Sequence, residues 1–441
     1  MMTKKWQPYP TYKDSGVEWL GAIPEHWEVN KFLRLAFFQE GPGLRNWQFA
    51  DDGIKVICVT NITDKGIIFN NYSKFIDQED YCKNYKHFTV NFGDLLLSSS
   101  GNSWGKVAEY LEKETVILNT STIRINQSSK GEYYKIFIKW ILQSDAVREQ
   151  LVLLMTGSCQ PNFGPSHLAK LLVPVPPLPE QQKIAQFLDQ ETSKIDKLIT
   201  KKERLIELLK EKRTALISHA VTKGLNPDVP MKDSGVEWLG EIPEHWEIVP
   251  LRSVLEQRIE YNIGRKTENI LSVIKDVGVV NYEDREASGN KKSENIEQYK
   301  IIYPSDIVVN RMNLIFGSVG IAREYGASST EYYVLKPKSN KVCQEYYGHI
   351  FCSKSFQLSL VGIGKGILFH RMRIYSEELK KILFPFPPLE EQKLINEYLI
   401  QNLNEINHLS DKLNTSIDHL KEYRTALISA AVTGKIDVRE H

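Results

Sequence analysis

Cysteine is scarce in this 441-residue sequence. The five residues, Cys58, Cys82, Cys159, Cys343 and Cys352, are an odd number with no C-x-x-C pair. That excludes a disulfide framework and a cysteine-based zinc site, and the five read as reduced thiols. Long apolar runs are also missing. None approaches the roughly 18 residues of a membrane span, and the opening residues lead into prolines and polar side chains instead of a signal-peptide core. A soluble, cytoplasmic chain is the expectation. Nor is there an excess of charge of one sign: 56 Lys and Arg face 55 Asp and Glu, so any basic surface must be local.

Catalytic signatures are missing as well. The stretch nearest to a phosphate-binding loop, residues 362–366 (GIGKG), has the wrong spacing and no hydroxyl after its lysine. None of the ten histidines falls in a metal-ligand spacing, and His26 and His245 read as packed or solvent-facing residues that recur with a repeat. No N-P-P-Y or D-P-P-Y tetrapeptide of an amino-methyltransferase occurs. Glu391-Gln392-Lys393 matches half of a nuclease motif, but no aspartate between 307 and 390 completes it, and its copy Glu180-Gln181-Gln182 lacks the lysine. The chain reads as one that catalyses nothing by itself.

What is present is a duplication. Residues 13–28 (KDSGVEWLGAIPEHWE) return as 232–247 with fifteen identities in sixteen, and residues 213–222 (RTALISHAVT) return as 424–433 with nine in ten. The middles between these anchors share no comparable identity. Each half is therefore a common frame holding a different insert, 29–177 in the first half and 248–387 in the second. The organisation expected is a repeat element (1–28), an insert (29–177), a helix (178–225), the second repeat element (226–247), the second insert (248–387) and a final helix with its tail (388–441).

The frame's second part is helical by pattern. After a proline cluster, positions 184, 188, 191, 195, 198, 202, 205, 209, 212 and 216 carry Ile or Leu seven times, and the series from 395 to 427 is apolar at eight of ten. This is a seam sustained over five heptads. At 1.5 Å per residue each helix runs about 60 Å. A singly striped helix needs a partner, and its own copy, related by a pseudo-two-fold axis, gives an antiparallel coiled coil with the inserts at opposite ends. Packing of each helix on its own half, or homodimerisation, are the alternatives.

The inserts mix strand-like runs, such as 55–60, 115–118, 306–309 and 332–335, with glycine turns and helical stretches such as 133–154, which suits compact α/β domains. Their side chains sum to +2 and +5. Positive charge is thus concentrated in the variable parts, where phosphate contacts would be needed.

Two unlike inserts in a duplicated frame of W-L-G-x-I-P-x-H-W, P-x-P-P-L-x-E-Q and a helix ending R-T-A-L-I-S resemble the specificity subunit of type I restriction-modification systems. The match covers essentially the whole chain. It rests on Trp19, Leu20, Gly21, Ile23, Pro24, His26 and Trp27 with their copies at 238–246, and on the junctions 176–181 and 387–392, where Glu390 replaces Pro179. The resemblance implies an α/β chain of two target-recognition domains joined by long helices, each domain specifying half of a bipartite, asymmetric DNA site. Two modification subunits carrying S-adenosylmethionine would dock on the repeated frame for adenine methylation. Restriction subunits using ATP and Mg²⁺, two per complex, would join them where the system cleaves, and this chain would hold no cofactor.

Base readout calls for Arg, Lys, Asn, Gln or Ser on loops able to enter the major groove. In the first insert the candidates are Arg45, Asn46, Ser100, Asn102, Lys106, Gln160 and Asn162. In the second they are Arg265, Lys266, Arg311, Asn313, Lys365, His370, Arg371 and Arg373. Candidate partner contacts are Trp19, Trp27, Trp238 and Trp246, which could equally clamp the repeat element onto the helix ends, and Arg213, Thr214, Arg424 and Thr425. A two-headed coiled-coil scaffold without DNA specificity remains the alternative of a different class. A stand-alone restriction enzyme is disfavoured by the missing motifs.

Overall fold

The computed structural model describes residues 6–70, 73–129, 131–155, 161–275, 277–285, 295–364 and 373–440. It resolves into two α/β units: residues 1–202 with 415–441, and residues 203–414. Two long helices, Leu178–Lys223 and Leu389–Val432, each run from one unit into the other. No helix among the described residues is long and apolar enough to cross a membrane.

In the first unit the repeat element forms a hairpin, Tyr12–Asp14 against Ala22–Pro24. The chain then enters the insert on strand Glu28–Lys31 and leaves it on Leu172–Val175, which pair with each other from Glu28↔Val175 to Lys31↔Leu172. Between them lies an antiparallel sheet in the order Val107–Glu109, Leu95–Ser98, Thr122–Gln127, Ala36–Glu40. A second sheet contains the parallel pair Ile54–Ile57 and Val116–Leu118. Leu95, Leu96 and Leu97 are buried on both faces of the central strand, which explains the unbroken apolar run. Helices Lys135–Leu142 and Asp145–Leu154 cover the sheet and share a core with Trp27, Ile184 and Leu427.

The second unit repeats this plan. Glu247–Pro250 pairs with Leu383–Phe386, and the sheet order is Val319–Ile321, Ile307–Asn310, Tyr332–Pro337, Leu255–Gln257. The parallel contact of the second sheet survives as the bridge between Ile270 and Ala327. Two middles without comparable sequence identity therefore carry one topology, because each keeps a buried central strand flanked by antiparallel neighbours.

Within each unit the segments of the two long helices run antiparallel. In the first, Lys183 Nζ reaches the Arg439 carbonyl and Asp196 pairs with Arg424 at 3.0 Å. In the second, Gly224 lies beside Glu391, while Arg213 reaches Asn407 at 3.4 Å. The heptad register expected from the sequence drifts, however. Leu205 and Leu409 are 49% and 50% exposed, while Ile206 and Ser410 are half-buried. A helix of 3.6 residues per turn slips about 20° per heptad against a strict 3.5 repeat, which moves the stripe by one position.

The frame is held by the Glu-Gln dipeptide at the start of each long helix. Glu180 accepts from the Tyr9 hydroxyl at 2.5 Å and Trp27 Nε1 at 3.1 Å, and lies 2.8 Å from His26 Nε2. The neighbouring Gln181 accepts from the Tyr134 amide, just ahead of helix Lys135–Leu142, and donates to the Pro176 carbonyl. Glu391 lies 2.8 Å from His245 Nε2 and accepts from Trp246 Nε1 at 3.0 Å; Gln392 takes the Cys343 amide and donates to the Pro387 carbonyl. The nuclease-like fragment is thus a packing device, and both histidines are partners of a carboxylate.

Removing Glu180 leaves Trp27 Nε1 and the Tyr9 hydroxyl without their buried acceptor, so Glu180→Ala should cost about 3 kcal/mol. The side chain of Glu391 is 27% exposed against 7% for Glu180, and Asp228 stands in register with Tyr9. Glu391→Ala should therefore cost less. Urea denaturation of both variants checks the ranking.

Candidate nucleic-acid interface

In the first unit the central strand Leu95–Ser98 runs into a loop closed on itself: the Ser98 amide donates to the Lys106 carbonyl and the Gly105 amide to the Ser98 carbonyl. Inside it Ser98 and Ser103 share a hydroxyl hydrogen bond of 2.9 Å, and Ser103 reaches the Val59 carbonyl. The Phe163 amide donates to the Ser99 carbonyl, and Ser100 bridges Asn162. Ser100, Asn102 and Asn162 are thereby brought to one loop cluster, with Asn102 and Asn162 exposed. Trp104 braces the cluster, edge-on to Phe163 and beneath the Arg148 guanidinium at 4.7 Å. Lys106 pairs with Asp64 at 3.0 Å. Gln160 lies outside the described residues.

Arg45 and Asn46 sit on a loop resting against the turn at residues 119–122, which joins the cluster where the Ser99 amide donates to the Ser121 carbonyl. A Cβ on Gly41 would lie 2.2 Å from the Asn119 carbonyl oxygen, so only glycine allows that approach. The Thr120 hydroxyl donates to the Pro42 carbonyl, and the Ser121 amide, next along, donates to Glu40. This anchored loop carries Trp47, 82% exposed, which the sequence reading missed. Its signal was an aromatic beside Arg45 and Asn46 after the Gly-Pro-Gly turn.

The second unit builds the same corner with other residues. The Asn310 amide donates to the Ser318 carbonyl, as Ser98 does to Lys106, and the Ile374 amide donates to the Arg311 carbonyl, as Phe163 does to Ser99. Arg311, Asn313 and Arg373 are thus placed together, and Arg311 stands where the first domain has Ser99. Its guanidinium is held by Glu331, with Nε 3.0 Å from Oε2, and that contact raises its pKa. Lys365, His370 and Arg371 lie outside the described residues.

Arg265 and Lys266 belong to a separate tight loop. Asn262, fully buried, closes it through the Thr267 carbonyl and amide and through the Ile296 carbonyl. Arg265 sits at the tip with φ +52°, exposed, and no hydrogen bond or ion pair engages its guanidinium among the described residues. Lys266 pairs with Glu260 at 2.8 Å, a contact that lowers the carboxyl pKa and raises that of the lysine.

The partner candidates divide. Trp27 and Trp246 are fully buried and act as the clamp, offering no ring face outward. Trp19 and Trp238 are half-buried; Trp238 packs edge-on against Phe356 and Phe384. Arg213 is half-buried against Asn407, and Arg424 is likewise held by Asp196. Their identity in the repeat has a packing cause. Thr214 is exposed and Thr425 half-buried, each donating to the carbonyl one turn back. In the repeat element the positions exposed in both copies include Lys13, Asp14, Glu18, Glu25, His26 and Glu28, with their copies Lys232, Asp233, Glu237, Glu244, His245 and Glu247. Identity at exposed positions was the available signal. No group of three or more His, Cys, Asp or Glu among the described residues could hold a metal ion.

A left-handed side chain costs about 1–2 kcal/mol, more than the roughly 0.5–1 kcal/mol that glycine loses through backbone entropy. Arg265→Gly should therefore stabilise the second unit by about 0.5–1 kcal/mol in thermal denaturation. A loss of stability would show that the guanidinium serves the fold.

Comparison with known proteins agrees with this architecture. The family model described as type I restriction modification DNA specificity domain matches residues 24–208 and again 243–419. The chain is 26% identical over 432 residues to a putative type I restriction enzyme MjaX specificity subunit of Methanocaldococcus jannaschii, covering 95% of this chain and 96% of the relative. It is also 26% identical over 438 residues to the MjaVIII specificity subunit of the same organism, covering 95% and 94%. Its fold is that of a solved chain from a study of assembly and conformational transition of the type I R-M system, with TM-score 0.66 and 15% identity over 94% of this chain and 99% of that one.

Proposed function

The chain belongs to the type I restriction-modification DNA specificity family, and from that premise we propose how its parts divide the work. It is the non-catalytic subunit that recognises DNA. The loop cluster at the end of each central strand reads one half of a bipartite, asymmetric site: Ser100, Asn102 and Asn162, with Arg45 and Asn46 nearby, in one half, and Arg311, Asn313 and Arg373, with Arg265 and Lys266, in the other. The observation that carries this reading is the recurrence of one corner, built on two matching backbone hydrogen bonds, with different side chains upon it. A fixed scaffold with exchanged chemistry is what two unlike half-sites require.

The duplicated exposed residues of the repeat element, Asp14, Glu18 and Glu25 with Asp233, Glu237 and Glu244, support docking of two copies of one partner. That partner is the modification subunit, which brings S-adenosylmethionine. ATP and Mg²⁺ belong to restriction subunits where these join.

Because each insert leaves the frame on two adjoining strands, replacing residues 29–177 by the insert of another such subunit should leave the frame intact. Co-expressed with the modification subunit, the hybrid should change one half of the N6-methyladenine motif and keep the other half. Methylation unaffected by deleting the chain would sink the specificity role and leave a scaffold.

A further inference from the structure

Two arginine–carboxylate pairs flank the central sheet of the second domain, and they differ in kind. Arg258 binds Asp306 through two separate hydrogen bonds, 2.8 and 2.9 Å, to an aspartate that is 2% exposed and also accepts from the Tyr303 amide. That pair belongs to the fold. In the other, Arg311 places both Nε and Nη2 on the single oxygen Oε2 of Glu331, whose side chain is 40% exposed. An ion pair this open contributes only about 0–1 kcal/mol. Stability does not explain its position, on the residue where the two loops of the interface meet.

Its chemistry does. Glu331 takes Nε and Nη2, and Nη1 has no part in that contact. The Nη1/Nη2 end of a guanidinium fits two adjacent acceptors, which in the major groove only guanine supplies, as N7 and O6. The paired cytosine presents the N4 amino donor, which a carboxylate accepts. We propose that Arg311 and Glu331 together read one G·C base pair of the half-site, Arg311 contacting guanine and Glu331 both positioning the guanidinium and accepting from cytosine. The first domain carries Ser99 at the position of Arg311, so the device is particular to this half.

The inference rests on the proposed reading that this domain recognises DNA. It is tested with the full-length chain in complex with its modification subunit, by methylation of a library randomised over the half-site. The wild type should prefer G·C at one position by about tenfold or more. Arg311→Ala should abolish that preference, Arg311→Lys, which keeps the charge and loses the planar fork, should reduce it, and Glu331→Gln should weaken it several-fold. Every other position, and the half-site of the first domain, should be unchanged, which also reports that the variants fold.

A uniform loss of methylation across all sequences would make Arg311 a phosphate contact and overturn the proposal. So would an Arg311→Ala variant with the wild-type motif, or a wild-type half-site without a G·C requirement. A wild-type complex with no sequence preference in this half would instead remove the functional reading on which the proposal stands.

Discussion

A carboxylate at the first turn of each long helix organises everything around it. Glu180 is buried, an unfavourable place for a charge, yet it answers three needs at once: acceptors for Trp27 and Tyr9, a partner for His26, and a negative group at a helix N-terminus, where the backbone dipole favours one. The amide beside it ties down the insert, because Gln181 and Gln392 each hold the backbone ahead of an insert helix, Lys135–Leu142 and Gln344–Cys352 respectively, together with the proline junction. Two adjacent residues thus join repeat element, insert and helix.

From this joint follows the separation of frame and insert. The inserts begin and end on paired strands, Glu28–Lys31 with Leu172–Val175 and Glu247–Pro250 with Leu383–Phe386, so either can vary inside while its two ends stay together. Recognition chemistry can change without disturbing partner docking, and the two domains show the outcome in one chain. Their sheets have the same order, and the residue past the central strand is serine in one and arginine in the other.

The placement of charge has the same logic. Domain two, the more basic by sequence, puts Arg311, Arg373, Arg265 and Lys266 on loops, whereas domain one offers mainly Asn102, Asn162 and Arg45. Only part of that charge is free to meet phosphate, since Lys106 and Lys266 are already paired with Asp64 and Glu260. A count of basic residues therefore overstates what the surface offers a nucleic acid.

The sequence by itself determined the duplication, the two long helices and the unlike inserts, because identity over sixteen residues and an apolar repeat are local patterns that survive in one dimension. It also carried the strands at 115–118, 306–309 and 332–335, since buried strands read as apolar runs; the run at 55–60 is strand only to Ile57 and then turns over Val59–Asn61. Only tertiary structure decided that Trp27 and Trp246 face inward, that Arg213 and Arg424 bridge helices, and that the helical stripe passes through Ile206 instead of Leu205. Each depends on which side of a residue the rest of the chain covers. The shared topology of the two inserts was invisible for a related reason: a sheet needs buried side chains in register, and many apolar sequences satisfy that equally well. The pairing of Arg311 with Glu331 joins residues twenty positions apart across two strands, and no spacing rule could have found it.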